Sequence, residues 1–172
     1  MRSVETSRLK TALHALLLLG AVVFVGFLFA NVEVQIEGAA GWASNLPTWR
    51  IERHWLLDLL FGGRAMTGYH AWMLPCILAF FHLPMAFTCV WSWRLEARAT
   101  ACYIFFWIAE DALWFICNPA FGWARLTPEA ATWHKHWLLG LPADYWIFTV
   151  VGAVLFIWSF GRPKCAPPAT PS

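Results

Sequence analysis

Residues 101–120 read ACYIFFWIAEDALWFICNPA, an apolar run with Glu110 and Asp111 at its centre. A bilayer core of about 30 Å is crossed by about 20 mostly apolar helical residues. The run is therefore long enough to span. Its two acids fall about ten residues, or roughly 15 Å, from either end. An ionisable group at that depth is expensive and marks a functional site by default.

Three further stretches have the same character, at about 11–31, 70–91 and 145–160. In the first, Ala15 to Ala30 is wholly apolar. Arg2, Arg8 and Lys10 precede it as in a secretory signal, but its core is long for such a segment and Leu28 spoils a cleavage site at Ala30. It reads as a retained helix. Composition agrees: 60% of the 172 residues are hydrophobic and 13% charged, against about 25% charged in a soluble domain. A soluble chain of this size cannot hide that much apolar surface. The expected fold is an all-α integral membrane protein. It is a four-transmembrane-helix bundle forming one domain over residues 1–161, followed by a disordered Pro-rich cytoplasmic tail at 162–172.

A formal charge of +2 gives no electrostatic footprint for nucleic acid. The five cysteines lie mostly in apolar runs without CxxC spacing, which points neither to a disulfide framework nor to a zinc ribbon.

Basic residues set the orientation. Arg2, Arg8, Lys10, Arg94, Arg98, Arg162 and Lys164, seven of the 12, lie in three short segments on one side. The other two connections carry Arg50, Arg53, Arg64, Arg125 and Lys135 against six acids. The positive-inside rule then places both termini in the cytoplasm of a multi-pass protein of the inner (plasma) membrane. Loops 32–69 and 121–144 share the outer face. Eight of the 13 tryptophans (Trp42, Trp49, Trp55, Trp72, Trp123, Trp133, Trp137, Trp146) gather there. An interfacial aromatic belt accounts for some of that enrichment; its asymmetry points to a Trp-rich cap over the bundle mouth. The run HWLLDLLF suits a short interfacial helix, opened by Pro47 and closed by Gly62-Gly63.

The second expected span carries His82 about 18 Å from His70, close to the depth of Glu110 and Asp111. Antiparallel neighbours would bring this imidazole to the acids, where each lowers the other's burial penalty. His82, Glu110 and Asp111 are thus the candidate catalytic residues. Trp107 and Trp114, on the Glu110 face, are the candidate substrate wall. Pro75 and Pro84 flank His82 and predict a kinked helix. His134, His136 and His70 form a second, outer group, with chemistry suited to a divalent transition metal as cofactor. That pattern is weak, because HxH supplies two ligands and no HExxH or repeated ExxH frames them. No phosphate-binding loop, GxSxG or GxGxxG is present.

Three classes of function fit these residues. The first is an intramembrane enzyme acting on a lipophilic small molecule by acid–base or metal-assisted chemistry. The second is a small proton- or ion-coupled carrier or binding protein. The third is a non-catalytic subunit of a membrane complex. The sequence alone leaves open whether the chain is an enzyme and whether it forms a homo-oligomer. Its expected partners are membrane lipid and the lipophilic molecule.

Overall fold

A computed structural model of the chain describes residues 2–161; the tail expected at 162–172 lies outside the described residues. The molecule is mostly helical, with 67% helix, and three of its helices are long and apolar enough to cross a membrane. These are α1 (Arg2–Glu37), α3 (Gly68–Thr88) and α4 (Trp93–Cys117). α5 (Ala143–Ser159) is apolar and 17 residues long, and α2 (Trp55–Phe61) is a two-turn helix in the first long connection.

Local chemistry sets these limits. α1 stops where Gly38 turns to φ +61 and its N–H returns to Val34 O at 2.9 Å. Thr67 caps α3 by accepting from the His70 amide, and Cys89 closes it in the left-handed region. Ser92 caps α4 by accepting from the Leu95 amide. That cap starts the helix eight residues before the expected position, so Glu110 and Asp111 sit past the middle of α4, toward its C-terminal end. α2 also differs from expectation. It opens at Trp55 under a His54 cap, not at Pro47, because Arg50-Ile51 is used in a short antiparallel ladder with Met66-Thr67. Gly62, at φ +59, ends it as expected. A second two-residue ladder joins Trp137-Leu138 to Leu141-Pro142 through Leu139-Gly140. Both turn residues have positive φ, the geometry of a tight hairpin.

α4 is the hub. α1, α3 and α5 each pack along it rather than along one another. α1 comes close because Gly26 has no side chain: a Cβ there would lie 3.3 Å from the Glu110 amide nitrogen. One apolar core (Val22, Ala101, Cys102, Phe106, Phe156) lies toward the short α3–α4 turn. The other (Ala30, Val34, Trp114, Phe115, Leu126, Tyr145) lies toward the two long connections, which meet at the opposite end. There Asn118 Nδ2 donates to Gly38 O at 2.7 Å, and Trp133 fills the space over Gly41 that a Cβ would occupy. The flanks of α1, α3 and α5 leave large apolar side chains exposed, among them Phe24, Leu28, Phe80, Val150 and Ile157.

Candidate functional site

At the loop end of the bundle, successive turns of α4 present Trp107, Glu110, Asp111 and Trp114 to one cavity of about 420 Å³. This lies within the range of about 300–1,000 Å³ usual for small-molecule sites. Leu74, Pro75 and Leu78 of α3, Ile104 and Ile108 of α4 and Phe148 of α5 make its apolar wall. α3 and α5 both contribute to that wall but do not pack along one another. Glu33, Glu37, His70, Arg64, Asp144 and Tyr145 complete its polar end.

Glu110 and Asp111 diverge, as neighbours about 100° apart on a helix must. Glu110, 3% exposed, turns toward α1, where it and Glu33 are hydrogen-bonded side chain to side chain. A bond between two carboxyls requires one of them to carry the proton. Glu33 also accepts from the Tyr69 hydroxyl at 2.7 Å. Glu37, one turn on, accepts from the Ala43 amide. Oε1 of Glu110 has no partner within the protein.

Asp111 turns the other way. Its Oδ2 accepts a short hydrogen bond from Tyr145 of α5 and lies 3.3 Å from His134 Nε2 in an ion-pair contact. Its side chain keeps 24% exposure, on the cavity side, although the surrounding chain encloses it. Oδ1 takes no hydrogen bond from the described residues and is the oxygen left for a ligand.

His134 is held from both sides. A tight turn at Thr127 and the stacking of Trp133 on Phe115, at 5.8 Å between ring centres, seat it over the end of α4. Its Nδ1 lies 2.5 Å from Arg64 Nη2 and 3.8 Å from Asp144 Oδ1, while Arg64 also pairs with Asp144. In the neutral ring Arg64 donates to Nδ1, which puts the ring hydrogen on Nε2 toward Asp111. Burial opposes charge on this imidazole, but the carboxylates of Asp111 and Asp144 outweigh burial and Arg64 together and hold its pKa above 6.5.

His70, 5% exposed, lines the cavity from the first turn of α3. It commits Nδ1 to the Thr67 hydroxyl at 2.7 Å, and Nε2 has no hydrogen-bond partner among the described residues. Its ring stacks on Trp42 at 3.9 Å, and the Arg64 guanidinium covers Trp42 at 4.7 Å. Trp42 and Ala43 both hold positive φ, a strained pair of non-glycine residues beside the site. Trp42, Arg64 and Trp133 also line a second, polar cleft of about 1,000 Å³ between the two long connections.

Of the residues singled out from sequence, the structure brings together Glu110, Asp111, Trp107, Trp114, His134 and His70. It does not bring His82. That imidazole pairs with Glu96 at 2.8 Å, near the short-turn end. The α3–α4 register, fixed also by the Tyr103 hydroxyl on Leu74 O, sets Glu96 rather than Glu110 opposite it. The expected shared depth counted from a later start of α4. His136 is exposed while its neighbour-but-one His134 is buried, so the HxH rings part company. Among the described residues no three His, Cys, Asp or Glu side chains are grouped to hold a metal ion. Arg64, Asp144 and Tyr145 carried no sequence signal beyond their place beside apolar runs. No protein-family model matches the chain, and neither does a curated protein or a solved structure.

Proposed function

We propose that the chain is a four-span protein of the inner (plasma) membrane, both termini cytoplasmic, which acts as an intramembrane enzyme on a lipophilic small molecule by acid–base chemistry. The 17 residues of α5 suffice for a fourth, short span. Arg94 and Arg98 mark the cytoplasmic end. The two Trp-rich connections, with α2 lying in the interface, form the outer cap. Membrane lipid covers the apolar flanks of α1, α3 and α5.

One observation carries the enzymatic reading: a single cavity joins an apolar wall between α3 and α5 to a carboxylate backed by an imidazole. In this reading Asp111 exchanges a proton with the substrate through Oδ1. His134 and Tyr145 fix Oδ2 and tune the carboxylate. His70 offers Nε2 as the second proton-transfer group. Trp107 wall-packs the substrate, and Trp114 supports that wall from behind. His82, engaged with Glu96, has no part. Metal-assisted chemistry at His70, His134 and His136 would need ligands that the fold holds apart, so the acid–base form has the better support.

Incubation in deuterated water tests the reading. Membranes holding the wild-type chain are expected to incorporate deuterium into one lipid-soluble species, followed by mass spectrometry, and those holding Asp111→Asn or His134→Gln are not. No wild-type-dependent change in any lipid-soluble species overturns it. A proton-coupled binding protein or carrier is the second reading. It is favoured by the three side chains, Trp42, Arg64 and Trp133, shared by the buried cavity and the open cleft. It predicts uptake driven by a pH gradient without chemical change.

A further inference from the structure

The cavity has a charge and a surface that specify more than a lipophilic occupant. Five carboxyl-bearing side chains line it (Glu33, Glu37, Glu110, Asp111, Asp144), against Arg64 as the one permanent cation among the described lining residues. Arg64 is already committed to Asp144 and His134. On this wall carboxyl groups outnumber the permanent cation five to one. An anionic headgroup would meet like charge here, which disfavours fatty acids and phosphorylated lipids. The acid groups do not stand alone as the argument. Glu110 is 3% exposed and holds Oε1 unpartnered on the cavity wall, and His70, 5% exposed, holds Nε2 unpartnered there. Glu110 Oε1 can accept a hydrogen bond or face a positive charge, and neither atom is answered by the described residues.

The rest of the wall is aromatic. Tyr103 and Trp107 meet edge to face at 6.1 Å, Trp42 and Tyr145 line the polar end, and Phe148 belongs to the apolar wall. Aromatic faces about a carboxylate attract a positive charge and gain when it is desolvated. A hydrocarbon body would lie along Leu74, Leu78 and Ile104, on the apolar wall to which α3 and α5 both contribute.

From this arrangement we infer that the cavity is a binding site for a lipophilic cation: an ammonium group set against Asp111 Oδ1 and the aromatic rings, with its apolar body along α3. The inference rests on reading this cavity as the ligand site, and it names the class of ligand that site takes. A substrate that develops positive charge during proton transfer would be favoured there for the same reason.

The full chain in phosphatidylcholine nanodiscs, with empty nanodiscs subtracted, provides the test. Three probes share one hydrocarbon body: (6-phenylhexyl)trimethylammonium, its neutral tert-butyl isostere and the corresponding carboxylate. Saturable binding of the ammonium near one per chain is expected, at least about tenfold tighter than the isostere. Asp111→Asn is expected to erase that preference. Equal binding of ammonium and isostere, tighter binding of the carboxylate, or no saturable binding of the ammonium overturns the inference. The comparison of probes on the wild-type chain decides this even where Asp111→Asn does not fold. If the ammonium binds as expected but no lipid takes up deuterium, the enzymatic reading fails and the cation site stands. If deuterium uptake occurs without ammonium binding, the cation site fails alone.

Discussion

Asp111 and His134 meet at 3.3 Å between Oδ2 and Nε2, although one belongs to the hub helix and the other to the second long connection. The contact ties the second long connection to α4 and leaves the other carboxylate oxygen toward the cavity. Tyr145 grips the same Oδ2 from α5, so three segments converge on one atom.

Removing either partner leaves a polar group buried without its mate. His134→Gln and Asp111→Asn are each expected to lower unfolding stability by about 3 kcal/mol. Because they share one interaction, the double variant should lose less than the two losses added, by about 1–2 kcal/mol. Reversible unfolding of the four proteins in mixed micelles measures the cycle; strict additivity would show that the contact carries no energy.

The imidazole also sets a pH dependence. Its folded-state pKa is raised above 6.5, after burial is offset by Asp111 and Asp144. A raised pKa means that the folded chain binds the proton more tightly than the unfolded chain. The stabilisation is therefore complete below about pH 6.5 and is lost as pH rises through the folded-state value. Thermal unfolding followed from pH 5 to pH 9 should show the melting temperature falling across that window. In His134→Gln the slope should flatten.

Close approach of α1 and α4 depends on Gly26, where an added Cβ would stand 3.3 Å from the Glu110 amide and 3.4 Å from Phe106 O, both rigid backbone. Gly26→Val should destabilise by about 2 kcal/mol through overpacking. It should also shift Glu110 away from Glu33. Gly20, with open space around its Cβ position, is the control: Gly20→Val should leave the melt nearly unchanged.

Topology is open to chemical labelling in a chain without its native cysteines. Lys135→Cys, on the second long connection, is expected to react with a membrane-impermeant maleimide on intact cells. Val90→Cys, in the short α3–α4 turn and 53% exposed, should react only after the cells are opened. Labelling of both from the same side would overturn the four-span arrangement.

The long helices were legible because an apolar run of span length has few other solutions in water or lipid. Their ends were less so. Ser92 and Thr67 act through single capping bonds, and a change of eight residues at the start of α4 moved Glu110 away from the expected midplane. That shift explains why His82 was paired with the wrong acids: depth along two helices depends on where each begins. His134 was visible as half of an HxH pattern, but its burial comes from Trp133 stacking on Phe115, a long-range contact with no local signature. Arg64 and Asp144 looked like ordinary loop charges. Only the meeting of the two connections pairs them, and nothing in their own neighbourhoods announces it.

Because the long apolar stretch of α3 packs along α4 and none of it is buried, its attachment there is a single zipper, tied at the loop end by Tyr69 on Glu33 of α1. Partial unzipping of that seam would widen the gap facing α5 without disturbing the α1–α4 and α4–α5 packing that carries the carboxylates. The floor of the chamber and its door thus rest on different packing seams. A bulky guest could slide in sideways from the hydrocarbon phase while Asp111, His134 and Tyr145 keep their alignment.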